Sequence, residues 1–167
     1  MRNSTGLAGA ALLVAMLTGA LAPASAETVR RDDSRNDAPA RIDVSRATYT
    51  HAQEQVRVVA RIPNLGRGGT AALSISRFEI FEAGFVVEIK KRAGKPPRTR
   101  LFFFNHFDLE PRRCDAVTGT WGRRRVSLSV DRACLDGHAR ERVFTQFGIQ
   151  SGAHVDRAPA VKRLRRS

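Results

Sequence analysis

The chain of 167 residues lacks the short motifs by which several classes of enzyme are recognised. It has no Gly-x-Ser-x-Gly nucleophile elbow, no His-Glu-x-x-His zinc motif, no phosphate-binding loop and no Gly-x-Gly-x-x-Gly dinucleotide fingerprint. We therefore expect a protein that is not an enzyme and that binds no cofactor. A catalytic pair of acidic residues stays open, because two carboxylates need only meet in space.

Long apolar runs are also lacking after residue 26. Arg2 precedes a single apolar stretch, Leu7 to Leu21, which ends in the signal-peptidase pattern Ala24-Ser25-Ala26. The stretch is short and is interrupted by glycine and threonine, so a cleaved signal fits better than a permanent anchor. The sequence predicts a signal peptide over 1–26 and a secreted, extracellular protein that begins at Glu27.

Cysteine is rare, with two residues in the whole chain. Nothing keeps thiols reduced outside the cytosol, so two cysteines in an exported chain predict one structural disulfide. Only Cys114–Cys134 is available within a monomer. On the loop-entropy account, a bond that closes a loop of this length contributes roughly 3 kcal/mol to stability.

No convincing helical stripe is present; apolar residues instead alternate with polar ones at a period of two, as in a strand with one face in the core. Turn residues separate the segments that follow this pattern. These segments are 42–50, 55–62, 71–77, 85–90, 99–107, 114–121, 126–130 and 142–150. About eight strands predict an all-β fold, an antiparallel β-sandwich of jelly-roll or immunoglobulin-like type, with a closed barrel as the alternative.

Two details of the strand pattern carry structural expectations. A turn at Gly122-Arg123 joins a strand that begins at Cys114 to one that ends near Cys134, so the disulfide should tie the far ends of neighbouring strands. The segments Phe78–Phe81 and Leu101–Phe104 break strict alternation. Such breaks are typical of strands that are buried on both faces or carry a bulge.

The 141 residues after the predicted cleavage site suffice for one domain. Residues 27–40 hold little to bury and predict a disordered leader. The β-sandwich domain is expected over 41–160. A basic tail over 161–167, which we expect to be frayed, ends the chain.

Several features spread over residues 42–160 resemble a recurrent type of uncharacterised exported protein from actinobacteria. The most specific is the Cys134-Leu135 end of a strand some twenty residues after the first cysteine. The others are Ile42-Asp43-Val44, Gln55 to Ile62, Arg112-Arg113-Cys114, Asp131 to Leu135, Arg142 to Ile149, and Asp156 followed by Ala158-Pro159. The resemblance implies a small β-sandwich with one disulfide and implies no activity.

Acidic residues are few, with 16 Asp and Glu against 29 Lys and Arg. Such an excess attracts polyanions and also keeps a protein soluble, so a merely solvated surface is the alternative to binding. The candidate polyanion-binding residues are Lys90, Lys91, Arg92, Arg112, Arg113, Arg123, Arg124 and Arg125. Lys95, Arg98 and Arg100 belong to the same basic stretches.

Trp121 is the single tryptophan and a candidate platform for stacking on a ligand, with core packing as the favoured alternative. In an extended strand, His106, Asp108 and Glu110 would project from one face, as part of an acid–base pair or a metal site. A solvent-facing side of the strand explains the same alternation. The remaining histidines are isolated, and we predict no metal site.

We interpret the chain as a secreted, non-catalytic β-sandwich that serves as a binding module at or outside the cell envelope. The first alternative is polyanion binding through a basic surface, with wall teichoic acid, anionic lipid or nucleic acid as the partner. An extracellular protein partner is also open. The last alternative is a hydrolase that uses Asp108 and Glu110.

Overall fold

A computed structural model describes residues 26–77, 82–106, 108–137, 139 and 141–167. These residues form strands and one turn of 3₁₀ helix, Arg132–Leu135. The strands are β1 Glu27–Asp32, β2 Arg46–His51, β3 Gln55–Arg61, β4 Gly69–Arg77, β5 Ala83–Lys91, β6 Arg98–Asn105, β7 Asp108–Arg112, β8 Val117–Trp121, β9 Arg125–Asp131, β10 Arg142–Ser151, β11 His154–Arg157 and β12 Val161–Arg165.

The strands form two antiparallel sheets that pack against each other. The five-stranded sheet has the order β1-β2-β3-β9-β8, and the seven-stranded sheet has the order β11-β10-β4-β5-β6-β7, with β12 also paired to β10. The all-β sandwich prediction is confirmed. Among the described residues the two sheets keep separate ladders and do not close into a barrel.

Alternation places the core between the sheets. Val56, Val58 and Ala60 of β3 are fully buried, while the residues between them lie toward solvent. β5 buries Val87 and Ile89 from the other side in the same way. Each such side chain contributes roughly 1.5–3 kcal/mol on leaving water, so the alternation in the sequence fixes which face of each strand is internal.

All eight predicted strands are present, and the structure adds β1, β7, β11 and β12. The leader predicted to be disordered differs from the structure, because Glu27–Asp32 pairs along its whole length with β2. The tail predicted to be frayed differs too, since Val161 and Leu164 of β12 are buried. β1, β7 and β11 are edge strands, and among the described strands β12 pairs only with β10. A strand in such a position forms hydrogen bonds along one side only.

Some sequence predictions fall outside the described residues, namely residues 1–25 of the predicted signal peptide and the segment Phe78–Phe81. Leu101–Phe104 lies within β6, where Leu101 is buried and the next three residues are half-buried, so both faces are partly covered. In the part of the chain that is described, no helix has the length and apolar character needed to cross a membrane.

The predicted disulfide is present between Cys114 and Cys134, whose Cα atoms lie 6.0 Å apart. β8 and β9 form a hairpin in which the Gly122 amide donates to the Arg125 carbonyl at 2.9 Å. Cys114 precedes β8 and Cys134 follows β9. The disulfide therefore ties the ends of the hairpin opposite its turn, as the sequence predicts.

Tyr49 of β2 connects the two sheets through its buried hydroxyl. The partner along one edge of β10 changes from β11 to β12 near Phe147. At this gap the Tyr49 hydroxyl accepts from the Phe147 amide at 3.0 Å and donates to the Pro159 carbonyl at 3.3 Å. Burial raises the pKa of Tyr49 to about 12, so the hydroxyl keeps its proton.

Replacing Tyr49 with phenylalanine should lower the free energy of unfolding by about 1–3 kcal/mol, because it leaves the buried Phe147 amide unpaired at nearly constant volume. Urea denaturation followed by circular dichroism measures the change. A loss below about 0.5 kcal/mol would show that water or another group replaces the hydroxyl.

Candidate functional site

The β5–β6 hairpin forms a cleft of about 400 Å³ on the outer face of the seven-stranded sheet. Ile89 of β5 and Leu101 of β6 are buried against the core, so their neighbours in each strand point the other way. The loop between the strands completes the wall. The lining residues are Glu88, Lys90, Arg92, Lys95, Pro96, Arg98 and Arg100. The cleft therefore presents five cations and one carboxylate.

The cross-strand register brings like charges together in this cleft. Lys90 lies opposite Arg98, and one step along the same face Glu88 lies opposite Arg100. Like charges directly opposite each other on a sheet are destabilising. Among the described residues, no ion pair involves any of the five cations. The fold thus leaves their positive charge available to an external anion.

The basic β8–β9 hairpin lies near this cleft, because both hairpins flank the β3–β4 connection. Arg125, at the start of β9, pairs with Arg61, the last residue of β3. Lys91, at the end of β5, pairs with Gly69, the first residue of β4. Two basic clusters far apart in sequence therefore meet at one end of the sandwich.

Trp121 connects β8 to the β3–β4 connection at this end of the molecule. Its indole Nε1 donates to the Gly66 carbonyl at 3.0 Å, and its ring packs over Gly69, where an added Cβ would lie 3.1 Å from Cη2. The ring is half-buried and packs against the core. Trp121 thus has a packing role between β8 and the β3–β4 connection, and the structure offers less support for ligand stacking.

The predicted polyanion-binding residues separate into four groups, of which Arg112 and Arg113 are the last. Lys90 and Arg92 line the cleft. The Lys91 ammonium donates to the Lys95 carbonyl and helps to hold the loop. The third group lies on the β8–β9 hairpin, beside a depression formed with residues 63–65, and consists of Arg123, Arg124 and Arg125.

Arg112 and Arg113 lie away from the cleft. Arg112 pairs in register with Leu101, in the middle of β6. Its guanidinium lies 3.1 Å from Glu110 Oε2 and 5.3 Å from the centre of the Phe103 ring, so its charge already has partners. Arg113 is exposed in the connection to β8.

His106, Asp108 and Glu110 do not share one extended strand. His106 occupies the β6–β7 turn with a φ of 54°, and its Nε2 is 4.0 Å from Glu82. Asp108 and Glu110 lie on β7, an edge strand whose residues are all exposed. The two carboxylates therefore lie on an exposed edge strand, and Glu110 is paired with Arg112, whereas a general acid needs a desolvated environment.

A cluster of acidic residues that the sequence does not suggest lies beside the β1–β2 connection. Asp37, Asp43 and Asp156 each contribute a carboxylate oxygen, and these atoms lie within 4.8 Å of one another. Asp33 interacts with all three. The sequence signal for this cluster is the density of aspartate over residues 32–43 in a basic chain. The same composition is typical of a disordered leader, so the signal was missed.

Burial and mutual repulsion both act on these carboxylates. Burial raises the pKa of Asp33 to about 6, and the charges on Asp156, Asp37 and Asp43 add to the rise. Burial also raises the pKa of Asp156, although the Val44 amide donates to its Oδ2 at 2.7 Å. In the absence of a counter-ion, the cluster destabilises the fold at neutral pH.

His51 is fully buried, whereas His106 and His154 are exposed. The Nδ1 atom of His51 lies 3.3 Å from the Leu164 carbonyl oxygen, and the Nε2 atom of His51 is buried without a partner. Burial lowers the pKa of His51, with Arg132 and Arg166 acting in the same direction and Glu27 against it. His51 is therefore a neutral core residue.

Comparison with protein-family models, with curated proteins and with solved structures gives no match to this chain. The resemblance to exported actinobacterial proteins accordingly stays a prediction.

Replacing Lys90 with glutamine should raise the free energy of unfolding by about 0.2–1 kcal/mol at low ionic strength, because it removes a like-charge cross-strand pair. Urea denaturation at 10 mM and 1 M NaCl measures the effect, and the gain should shrink at high salt through screening. A loss of stability would show that Arg98 and Lys90 do not repel each other.

The contribution of His51 to the free energy of unfolding should decrease as the pH falls below about 6.5, since unfolded His51 takes up a proton that the folded state disfavours. The His51→Gln variant should lose less stability between pH 7 and pH 5 than the wild type. Asp33 acts with the opposite sign over this range, but its contribution cancels in the comparison. Identical pH profiles would contradict the prediction.

Proposed function

We propose that this protein is an exported, non-catalytic binding module whose cationic cleft binds an anionic polymer at or outside the cell envelope. The fold supports a binding role, because a stable sandwich with one disulfide holds its hairpins in fixed positions. Support for export comes from the predicted signal peptide and from a disulfide, which persists in oxidising compartments.

The observation that carries the proposal is the accumulation of charge that the protein does not neutralise itself. Five cations converge on one cleft with a single glutamate. The Lys90–Arg98 pair costs stability wherever no anion is bound. A merely solubilising surface would spread its cations, since spacing them lowers their mutual repulsion.

The chemistry of the walls favours a phosphate-bearing polymer such as wall teichoic acid. Among the described residues that line the cleft, Pro96 is the only one without a polar or charged side chain, and none is aromatic. Single-strand nucleic-acid binders use aromatic rings for base stacking. The indole N–H of Trp121 already donates a hydrogen bond to the Gly66 carbonyl. Arginine and lysine suit phosphate oxygens through charge-assisted hydrogen bonds.

The second candidate is a hydrolase that uses Asp108 and Glu110. Its support is the alternation that places both carboxylates on β7. Against it stands their exposure at the sheet edge, because general acid catalysis at neutral pH needs a carboxyl group in a desolvated environment. Binding through the cleft is therefore the function that the geometry favours.

Binding of the purified protein to wall teichoic acid should weaken steeply between 50 mM and 500 mM NaCl. The double variant Arg98→Gln and Arg100→Gln should bind more weakly and should reduce the salt slope by about two, one for each lost contact. Fluorescence anisotropy of labelled polymer measures both quantities. Duplex DNA, single-stranded DNA and anionic vesicles are tested in parallel.

Two further variants locate the binding surface, and the losses of affinity are compared per positive charge removed, because the three variants remove one, two and three charges. Arg112→Gln removes one positive charge outside the cleft and should leave affinity nearly unchanged, since Arg112 is paired with Glu110. The triple variant Arg123→Gln, Arg124→Gln and Arg125→Gln should have an intermediate effect, because this hairpin only flanks the cleft. If the cleft variant and Arg112→Gln lose the same affinity per charge removed, binding depends on net charge alone and the cleft is not the site.

A further inference from the structure

The acidic cluster beside the β1–β2 connection has the dimensions of a cation site. The three oxygens offered by Asp37, Asp43 and Asp156 lie within 4.8 Å of one another. Calcium binds oxygen ligands at about 2.3–2.6 Å, so ligands on opposite sides of the ion lie about 4.6–5.2 Å apart. Three carboxylates thus fit within one coordination sphere.

Arg35, Arg46 and Arg61 line the same depression as Asp33 and Asp43, but among the described residues no ion pair reaches the cluster. The described part of the chain has an excess of Lys and Arg, yet none of its ion pairs involves Asp33, Asp37, Asp43 or Asp156. Asp32, the neighbouring residue, shows the contrast, because it lies 2.6 Å from Arg46 Nε. Backbone amides donate to Asp33, Asp43 and Asp156, but in the described part of the chain no ion pair offsets the repulsion among the four carboxylates.

Two of the carboxylates in this cluster each have one buried oxygen without a partner. Asp43 Oδ2 accepts from the Asn36 amide at 3.2 Å, whereas Asp43 Oδ1 is fully buried and unpaired. Asp33 Oδ1 accepts from the Ser34 amide at 2.9 Å, whereas Asp33 Oδ2 is fully buried and unpaired. Asp156 is 6% exposed. A buried carboxylate oxygen without a partner is costly, and a bound cation would remove that cost.

We propose that Asp33, Asp37, Asp43 and Asp156 form a calcium site. Calcium fits better than zinc, because the donors are all oxygen atoms and zinc prefers histidine and cysteine. Calcium also fits better than magnesium, since it accepts irregular geometry and six to eight ligands, with water completing the shell.

The ion would link the two sheets at one edge. Asp33, Asp37 and Asp43 belong to the connection between β1 and β2 of the five-stranded sheet, and Asp156 belongs to β11 of the seven-stranded sheet. Hydrogen bonds already hold Asp156 to Val44 across this edge. Calcium would therefore fix the edge strand β1, which has a single neighbour in its sheet, and it acts independently of the cationic cleft.

Isothermal titration of the purified, chelator-treated protein with CaCl2 up to 10 mM should show one site, with a Kd of about 0.1–1 mM, as in other extracellular calcium modules. At 100-fold excess over Kd, the melting temperature should rise by roughly 10 °C. NaCl at the same ionic strength should not reproduce the rise. MgCl2 should produce a smaller one.

Matched variants assign the binding to the cluster. Asp43→Asn and Asp33→Asn should each weaken calcium binding at least tenfold, while Asp108→Asn, which removes the same charge from an exposed strand, should bind like the wild type. Without calcium, Asp43→Asn should melt no lower than the wild type, because it relieves repulsion; a purely structural role for Asp43 predicts a lower melting temperature.

Absence of binding heat and of a melting shift at 10 mM CaCl2 would overturn the proposal. Binding that Asp43→Asn and Asp33→Asn leave unchanged would overturn it equally, since the ion would then lie elsewhere.

Discussion

The arrangement of the two sheets depends on how the free edge of β10 is completed. One side of β10 pairs with β4, but its other side is shared by two short strands, β11 and β12, which leave a gap at Phe147. Pro159 has no amide to offer at this point. The Tyr49 hydroxyl enters the gap from the opposite sheet and satisfies both the Phe147 amide and the Pro159 carbonyl. A single phenol thus allows the chain to change strands, and it links the two sheets through hydrogen bonds inside an apolar core.

Once the sheets are fixed, hairpin register determines where charge collects. The basic β5–β6 and β8–β9 hairpins both flank the β3–β4 connection, so cations separated by about thirty residues in sequence come to one side of the sandwich end. The aspartates of the β1–β2 connection and of β11 come to the other side of the same end. The segregation follows from strand order, because β1 and β11 lie at corresponding edges of the two sheets. Each cluster repels itself, and neither cluster neutralises the other.

The sequence predicts the fold well where strands are central and poorly where they are at the edge. β3, β5 and β9 alternate clearly because one face of each is fully buried, as Val58, Val87 and Leu128 show. β1 and β7 bury no residue completely, so only backbone pairing defines them and no pattern in the side chains reveals it. For the candidate sites, a local cluster such as Lys90 to Arg92 is visible in the sequence. Asp43 and Asp156 are separated by 113 positions, and only the pairing of β10 with β11 brings them together.

Uncompensated charge distinguishes sites from surface in a protein that offers few other signals. Arg112 and Arg98 carry the same charge. Arg112 is paired with Glu110 and lies over the ring of Phe103, whereas Arg98 lies opposite Lys90 on the neighbouring strand. Asp32 ends β1, and Asp43 lies in the connection that follows. Asp32 forms an ion pair with Arg46, whereas Asp43 has a buried oxygen with no partner. Rearranging a surface side chain costs less than holding like charges together, so an unliganded protein would be expected to relax such contacts. The two proposed partners therefore come from outside the chain, an anion at one side of the sandwich end and a cation at the other.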